Sequence, residues 1–257
     1  MKKLLTIIAY CTFLSTSIYA QKLEIKYQEI LNVNKDKLKE NMKFESSGSG
    51  NLPSDFFDNI IKSMIEPKDF TLSIYDNSSI YKKVEKINNK QGSNFSISFG
   101  DADNSIYKDS STKEYSKNVS LMDKSYLIKD KLTDYKWKLI RETKKIIGFD
   151  VKKATAIIDS TTSVVAWYAP SITVKDGPKM YNGLPGLILE LEIKESENKG
   201  IDSSIIRATE VKEVPDMKPI DKPKEKNIIT DKEYNELSKK EMERYKEMRT
   251  ESVDKKD

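Results

Sequence analysis

The sequence predicts a mainly β protein (α+β) built on an antiparallel sheet, with one or two helices and a charged helix at the C-terminus. Three observations carry this. Apolar and polar residues alternate with period two along most of the chain. The alternating runs follow one another at the spacing of a meander. Helical patterning is confined to two places.

In chain order, Leu23, Ile25 and Tyr27 alternate with Lys22, Glu24 and Lys26. Ser54 caps a turn into Phe56, Phe57, Ile60, Ile61 and Met64, one apolar stripe of a short helix that Pro67 ends. Phe70, Leu72 and Ile74 form the next strand, and further candidates cover 79–86, 124–128, 136–143, 150–158 and 204–214. The Ser/Asn/Asp-rich segment 91–117 reads as a long loop with room for one weak hairpin. Val164, Ala166 and Tyr168 oppose Val165, Trp167 and Ala169, a strand covered on both faces. Leu187, Leu189, Leu191 and Ile193 alternate with Glu190, Glu192 and Lys194, which places both glutamates on a solvated side. A Pro/Lys-rich linker over 215–229 leads to Thr230-Asp231-Lys232-Glu233, the Ser/Thr-x-x-Glu form of a capping box. The helix after it shows only a thin stripe of Tyr234, Leu237, Tyr245 and Met248.

Lys2 and Lys3 precede an apolar run from Leu4 to Leu14 and small residues up to Ala20, the layout of a secretory signal peptide. The run is shorter than the ~20 residues that span a bilayer, so no stable transmembrane anchor is expected. Cleavage after Ala20 leaves a mature chain from Gln21, exported to the periplasm or secreted. The domain plan is a signal peptide over 1–20, a β domain over 21–214, the linker, and a helix and tail over 230–257. The single cysteine, Cys11, falls inside the leader, so the mature chain must rely on a packed core rather than disulfides.

The absence of histidine excludes every imidazole mechanism and His-ligated zinc. A formal charge of +4 on 45 basic and 41 acidic residues is a mixed surface with no field for nucleic acid. The most calcium-like stretch begins at Asp101, but Ile106 and Thr112 stand where an EF-hand loop needs glycine and glutamate. It reads as a polar turn, and no metal or cofactor is expected. No Gly-x-Ser-x-Gly elbow or phosphate-cradling loop occurs, so no catalytic residue is assigned.

One stretch stands apart from chance. It runs from Trp137 through Glu142, Lys144, Ile147, Gly148 and Phe149, then Lys153-Ala154, Ala166-Trp167-Tyr168 and Gly177-Pro178, to Gly183-Leu184-Pro185-Gly186-Leu187-Ile188. Lys144 to Gly148 reads as a tight connection between two strands, and the glycines around Pro185 as a rigid corner over which Trp137 or Trp167 packs. These residues resemble the GLPGLI family of exported Bacteroidetes proteins, named for that hexapeptide. Family members often carry cysteine where this chain has Val151, which argues against a redox role. The resemblance implies a cell-envelope setting, with genes near those of TonB-dependent outer-membrane receptors. The layout also resembles the half-barrel of periplasmic lipoprotein carriers, a curved sheet around a groove.

The functional expectation is an exported binding or accessory protein that is more a carrier than an enzyme. Its partner would be an envelope protein of a TonB-dependent system, or an apolar or peptide ligand. The site residues expected are Trp137, Trp167, Tyr168 and the corner Gly183, Leu184, Pro185, Gly186, Leu187 and Ile188, in a binding or a structural role. The alternatives are an interaction protein docking through its C-terminal helix and, less favoured, a carboxylate-dependent hydrolase.

Overall fold

A computed structural model describes residues 22–46, 54–85, 105–122, 124–196 and 200–254. The leader and positions 101–104 lie outside them. The elements run β1 (Lys22–Val33), α1 (Lys35–Ser46), α2 (Ser54–Ile65), β2 (Lys68–Tyr75), β3 (Ser78–Lys83), β4 (Ile106–Asp109), β5 (Glu114–Leu121) and β6 (Lys124–Lys131). They continue with β7 (Lys138–Ile146), β8 (Phe149–Ile157), β9 (Thr162–Ala169), β10 (Leu187–Glu195), β11 (Ile201–Glu213), β12 (Ile228–Ile229) and α3 (Asp231–Asp254). All strands join one sheet in the order β12-β6-β5-β4-β3-β2-β1-β11-β10-β9-β8-β7. Every pairing is antiparallel except β12, which lies parallel to β6.

The connectivity forces this sheet to curl. β6 and β7 are consecutive in sequence yet stand ten strand intervals apart. Laid flat, that distance would be about 48 Å at the usual inter-strand spacing. The seven Cα steps from Lys131 to Lys138 reach at most about 25 Å. The two margins must therefore bend toward each other, which makes the sheet a curved half-barrel with the connector 132–137 across its mouth.

The main core lies on one face, where alternation delivers Ile25 and Tyr27 of β1, Leu72 of β2, Tyr81 of β3, Leu191 of β10 and Ile206 of β11, each at most 1% exposed. Burying side chains of this size contributes about 1.5–3 kcal/mol each. The capping box forms as the sequence implies: the Glu233 amide donates to Thr230 Oγ1 at 3.2 Å, and the Thr230 amide donates to Glu233 Oε2 at 2.7 Å.

Three elements depart from the sequence reading. The hairpin β4–β5 occupies the second half of the expected loop; its inward positions include Lys108 and Lys117, so the apolar rhythm is hidden. α1 was not expected from the sequence, since its charged body carries no clear apolar stripe; its start is capped by Asn34 Oδ1, which accepts the Lys37 amide at 3.0 Å. Glu190 lies on the side of β10 that alternation assigns, but it is 7% exposed rather than solvated. The stems of Lys144 and Arg207 and the Trp167 indole cover it, as long amphipathic side chains can.

Candidate functional site

The seventeen residues from Pro170 to Gly186 leave β9 and return to β10 as a strap tied to the inner face of the sheet. Backbone bonds set its shape: the Gly183 amide donates to Lys175 O at 3.0 Å, and the Ile188 amide to Asp176 O at 2.9 Å. Gly183 and Gly186 take φ of +89° and +146°, conformations that L side chains avoid. The sheet reaches up to meet the strap. Tyr27 donates its hydroxyl to Ile188 O at 2.6 Å, and burial holds that phenol far above its ordinary pKa, so it stays a donor. Trp137 donates its indole N–H to Asn182 O at 2.9 Å.

The principal fastening is Asp176. Its carboxylate accepts from Ser79 Oγ (2.5 Å), from its neighbour's Gly177 amide (2.7 Å) and from Lys108 Nζ, which also donates to Gly177 O at 2.7 Å. Ser79 and Lys108 are cross-strand partners on β3 and β4, and each is 2% exposed. Sheet pairing thus places a hydroxyl and an ammonium side by side under one carboxylate. A second fastening joins Lys179 to Glu29 of β1 at 2.6 Å, with Ser204 of β11 donating to the same oxygen.

Burial alone would raise the Glu29 pKa; the Lys179 charge, the hydrogen bonds from Lys179 and Ser204, and the Lys68 charge together outweigh it and hold the carboxyl below its ordinary value. The resulting stabilisation is complete above the unfolded carboxylate pKa of about 4.3 and is lost as pH falls through the lower, folded value. Glu29→Gln is therefore expected to flatten the loss of stability seen in denaturant melts between about pH 5 and pH 3.

Strap, hairpin turns and connector line an open cavity of about 1300 Å³. Ser79 and Lys108 form its floor; Asp76 and Asn77 enter from the β2–β3 turn, Ser110 and Lys113 from the β4–β5 turn, Leu132, Thr133 and Asp134 from the connector, and Asn182 and Gly183 from the strap. Its four carboxylates (Asp76, Asp134, Asp176, Glu213) nearly balance its three lysines (Lys108, Lys113, Lys175), and the hydroxyls and amides stand among a larger apolar surface to which Ile74, Leu132 and Val174 contribute. Beside the wall, Tyr135 of the connector stacks on Tyr181 of the strap with centroids 5.0 Å apart, and Trp137 lies 5.6 Å from Tyr135. Burial raises the pKa of both tyrosines, leaving neutral hydroxyls.

Ser79 is not set up as a nucleophile in this arrangement. Ser79 Oγ donates to a carboxylate whose charge is already committed to a buried ammonium, which leaves no base to activate the hydroxyl. No cluster of metal-ligating side chains occurs among the described residues.

The expected site residues divide. Trp137 packs against Asn182 and Gly183, while Leu184, Leu187, Ile188 and Tyr168, each at most 3% exposed, belong to the core beneath. Pro185 is exposed at the corner. Trp167 lies on the opposite side of β9 from Tyr168 and takes no part in the cavity: Lys144 Nζ stands 4.2 Å from its ring centroid and Lys153 Nζ 5.7 Å. Lys144 also bonds Glu190 at 2.6 Å, and Arg207 bonds the other Glu190 oxygen. Lys108, Ser79 and Asp176 escaped sequence reasoning; the only cue was that Asp176 precedes the Gly177-Pro178 pair.

The fold has relatives among solved structures. Two solved structures of PNGF-II, in P21 and C2 space groups, align at 20% and 21% identity with TM-scores of 0.51 and 0.52. Each alignment covers 85% of this chain and 33% of PNGF-II, so the chain spans about a third of that protein's length. A LolA superfamily protein from Nitrosomonas europaea aligns over 76% of this chain and 87% of its own at 10% identity, with a TM-score of 0.30 that supports no argument. No curated protein matches the sequence. The family model described as N-glycanase peptide, N-terminal domain, matches residues 59–243, and the chain belongs to that family.

Proposed function

We propose that the chain is a non-catalytic binding module exported to the cell envelope, holding a polar peptide ligand in the cavity beneath the strap. The observation that carries this reading is the cavity wall itself: balanced charges and many hydroxyl and amide groups around a fixed floor, with an aromatic stack at one side. Such a mixed lining, charges and hydroxyls set among a larger apolar surface, suits the peptide of the sequence expectation, whose backbone and side chains offer both kinds of contact. The family's N-glycanase description makes an N-glycosylated peptide the first ligand to try. The resemblance to the GLPGLI family favours an accessory role beside TonB-dependent outer-membrane transport.

Calorimetric titration with a short peptide carrying an N-linked glycan tests the proposal. Saturable binding to the unaltered protein is expected, weakened at least tenfold (about 1.4 kcal/mol) by Thr173→Trp, which fills the cavity from an exposed strap position. Equal heats from both proteins would place the ligand elsewhere, and no heat from either would remove the glycopeptide reading.

A further inference from the structure

The turn between β7 and β8 breaks a local rule. A two-residue hairpin turn with positive φ at both positions calls for Asn-Gly or Asp-Gly, since these residues tolerate the left-handed region. Here the pair is Ile147-Gly148, with φ of +42° and +89°. A β-branched residue in that region is a genuine outlier. Nothing in the core compensates, because Ile147 is 41% exposed while its neighbour Ile146 is buried at 5%. The turn thus spends backbone strain to hold an aliphatic side chain out in water, and strain of this kind gathers at working surfaces.

The hairpin is also where positive charge collects. β7 and β8 carry Lys138, Arg141, Lys144, Lys145, Lys152 and Lys153 against Glu142 and Asp150, an excess of four that equals the formal charge of the whole chain. Lys145 and Lys152 are exposed beside the tip on facing strands, Lys145 in a solvent-exposed pair with Asp150 at 2.8 Å that a phosphate can replace, while Lys144 is committed to Glu190.

We infer that the β7–β8 tip is a docking point for an anionic lipid surface, with Ile147 entering the apolar layer and the flanking lysines meeting lipid phosphates. A lone aliphatic side chain at a turn needs no shaped pocket in a fluid apolar phase, and lysine stems can lie along that phase while their ammonium groups stay at the headgroups. Strand addition by a protein partner is the poorer fit. The free margin of β7 is laced with charges, and its register breaks between Ile140 and Thr143, both features that discourage pairing.

Co-sedimentation of the purified protein with vesicles of phosphatidylglycerol and phosphatidylcholine (equal parts), and with phosphatidylcholine alone, tests the inference. Binding to the anionic vesicles is expected, and it should fall steeply with added salt. Ile147→Asn should cut the bound fraction at least fivefold while raising the melting temperature by about 2–4 °C, because asparagine relieves the strained φ. The charge variant Lys145→Gln/Lys152→Gln, at two exposed positions, should weaken binding without that rise. An unaltered protein that ignores anionic vesicles overturns the inference, as does Ile147→Asn binding as well as the parent.

Discussion

Gly186→Ala is expected to lower the unfolding free energy by about 3–5 kcal/mol, or to prevent folding, whereas Gly183→Ala should cost only about 1 kcal/mol. A Cβ at Gly186 would sit 2.3 Å from Ala169 O and 2.7 Å from the Ala169 carbonyl carbon, backbone atoms of the strand that the corner folds against. They cannot swing aside as a side chain can, and φ of +146° adds its own penalty. At Gly183 the nearest neighbour is Trp137 Nε1 at 4.0 Å, so only the positive φ opposes the methyl group. The two glycines of the hexapeptide thus have different reasons to be there: Gly186 for closeness, Gly183 for conformation. Urea denaturation of the two variants separates them, and equal losses would show that the corner does not pack as described.

Asp176→Ala carries the second large effect, again about 3–5 kcal/mol, because it strands the Lys108 ammonium where it is 2% exposed. The decisive partner is the double variant Asp176→Ala/Lys108→Met. Replacing a buried pair by apolar groups is often close to neutral, so the double variant should recover most of the stability lost by the single one. The same cycle distinguishes a fastening from an active group: recovery of stability without any recovery of ligand binding would assign Asp176 a place in the cavity wall as well as in the fold. Additive losses in urea melts would mean that the two residues do not depend on one another.

Much of the sheet was legible in the sequence because half-buried strands write their faces as alternation. β1, β2, β9 and β10 stand where Leu23 to Tyr27, Phe70 to Ile74, Val164 to Ala169 and Leu187 to Ile193 placed them. The hairpin β4–β5 was hidden because its inward side includes Lys108, a residue that pattern reasoning assigns to solvent until a partner is known. That partner, Asp176, is 68 residues away in sequence and reaches Lys108 only because the sheet curls. Strand order was likewise unreadable, since the short reach from β6 to β7 becomes informative only once both are known to stand near opposite margins. The same limit explains the two tryptophans. Either was expected to pack over the hexapeptide corner; alternation along β9 turns Trp167 away from it, while the connector carries Trp137 onto it.

In the proposed function, the strap and the turns of β2–β3 and β4–β5 act as one binding wall. The most direct test is the glycopeptide titration followed by amide chemical shifts in an isotope-labelled sample. Shifts are expected at Asp76 to Ser79, Ser110, Lys113, Thr173 to Asp176, Asn182 and Gly183, with Lys144, Trp167 and Glu190 on the other face unmoved. Shifts confined to Trp167 and its charged neighbours, with the strap silent, would contradict it.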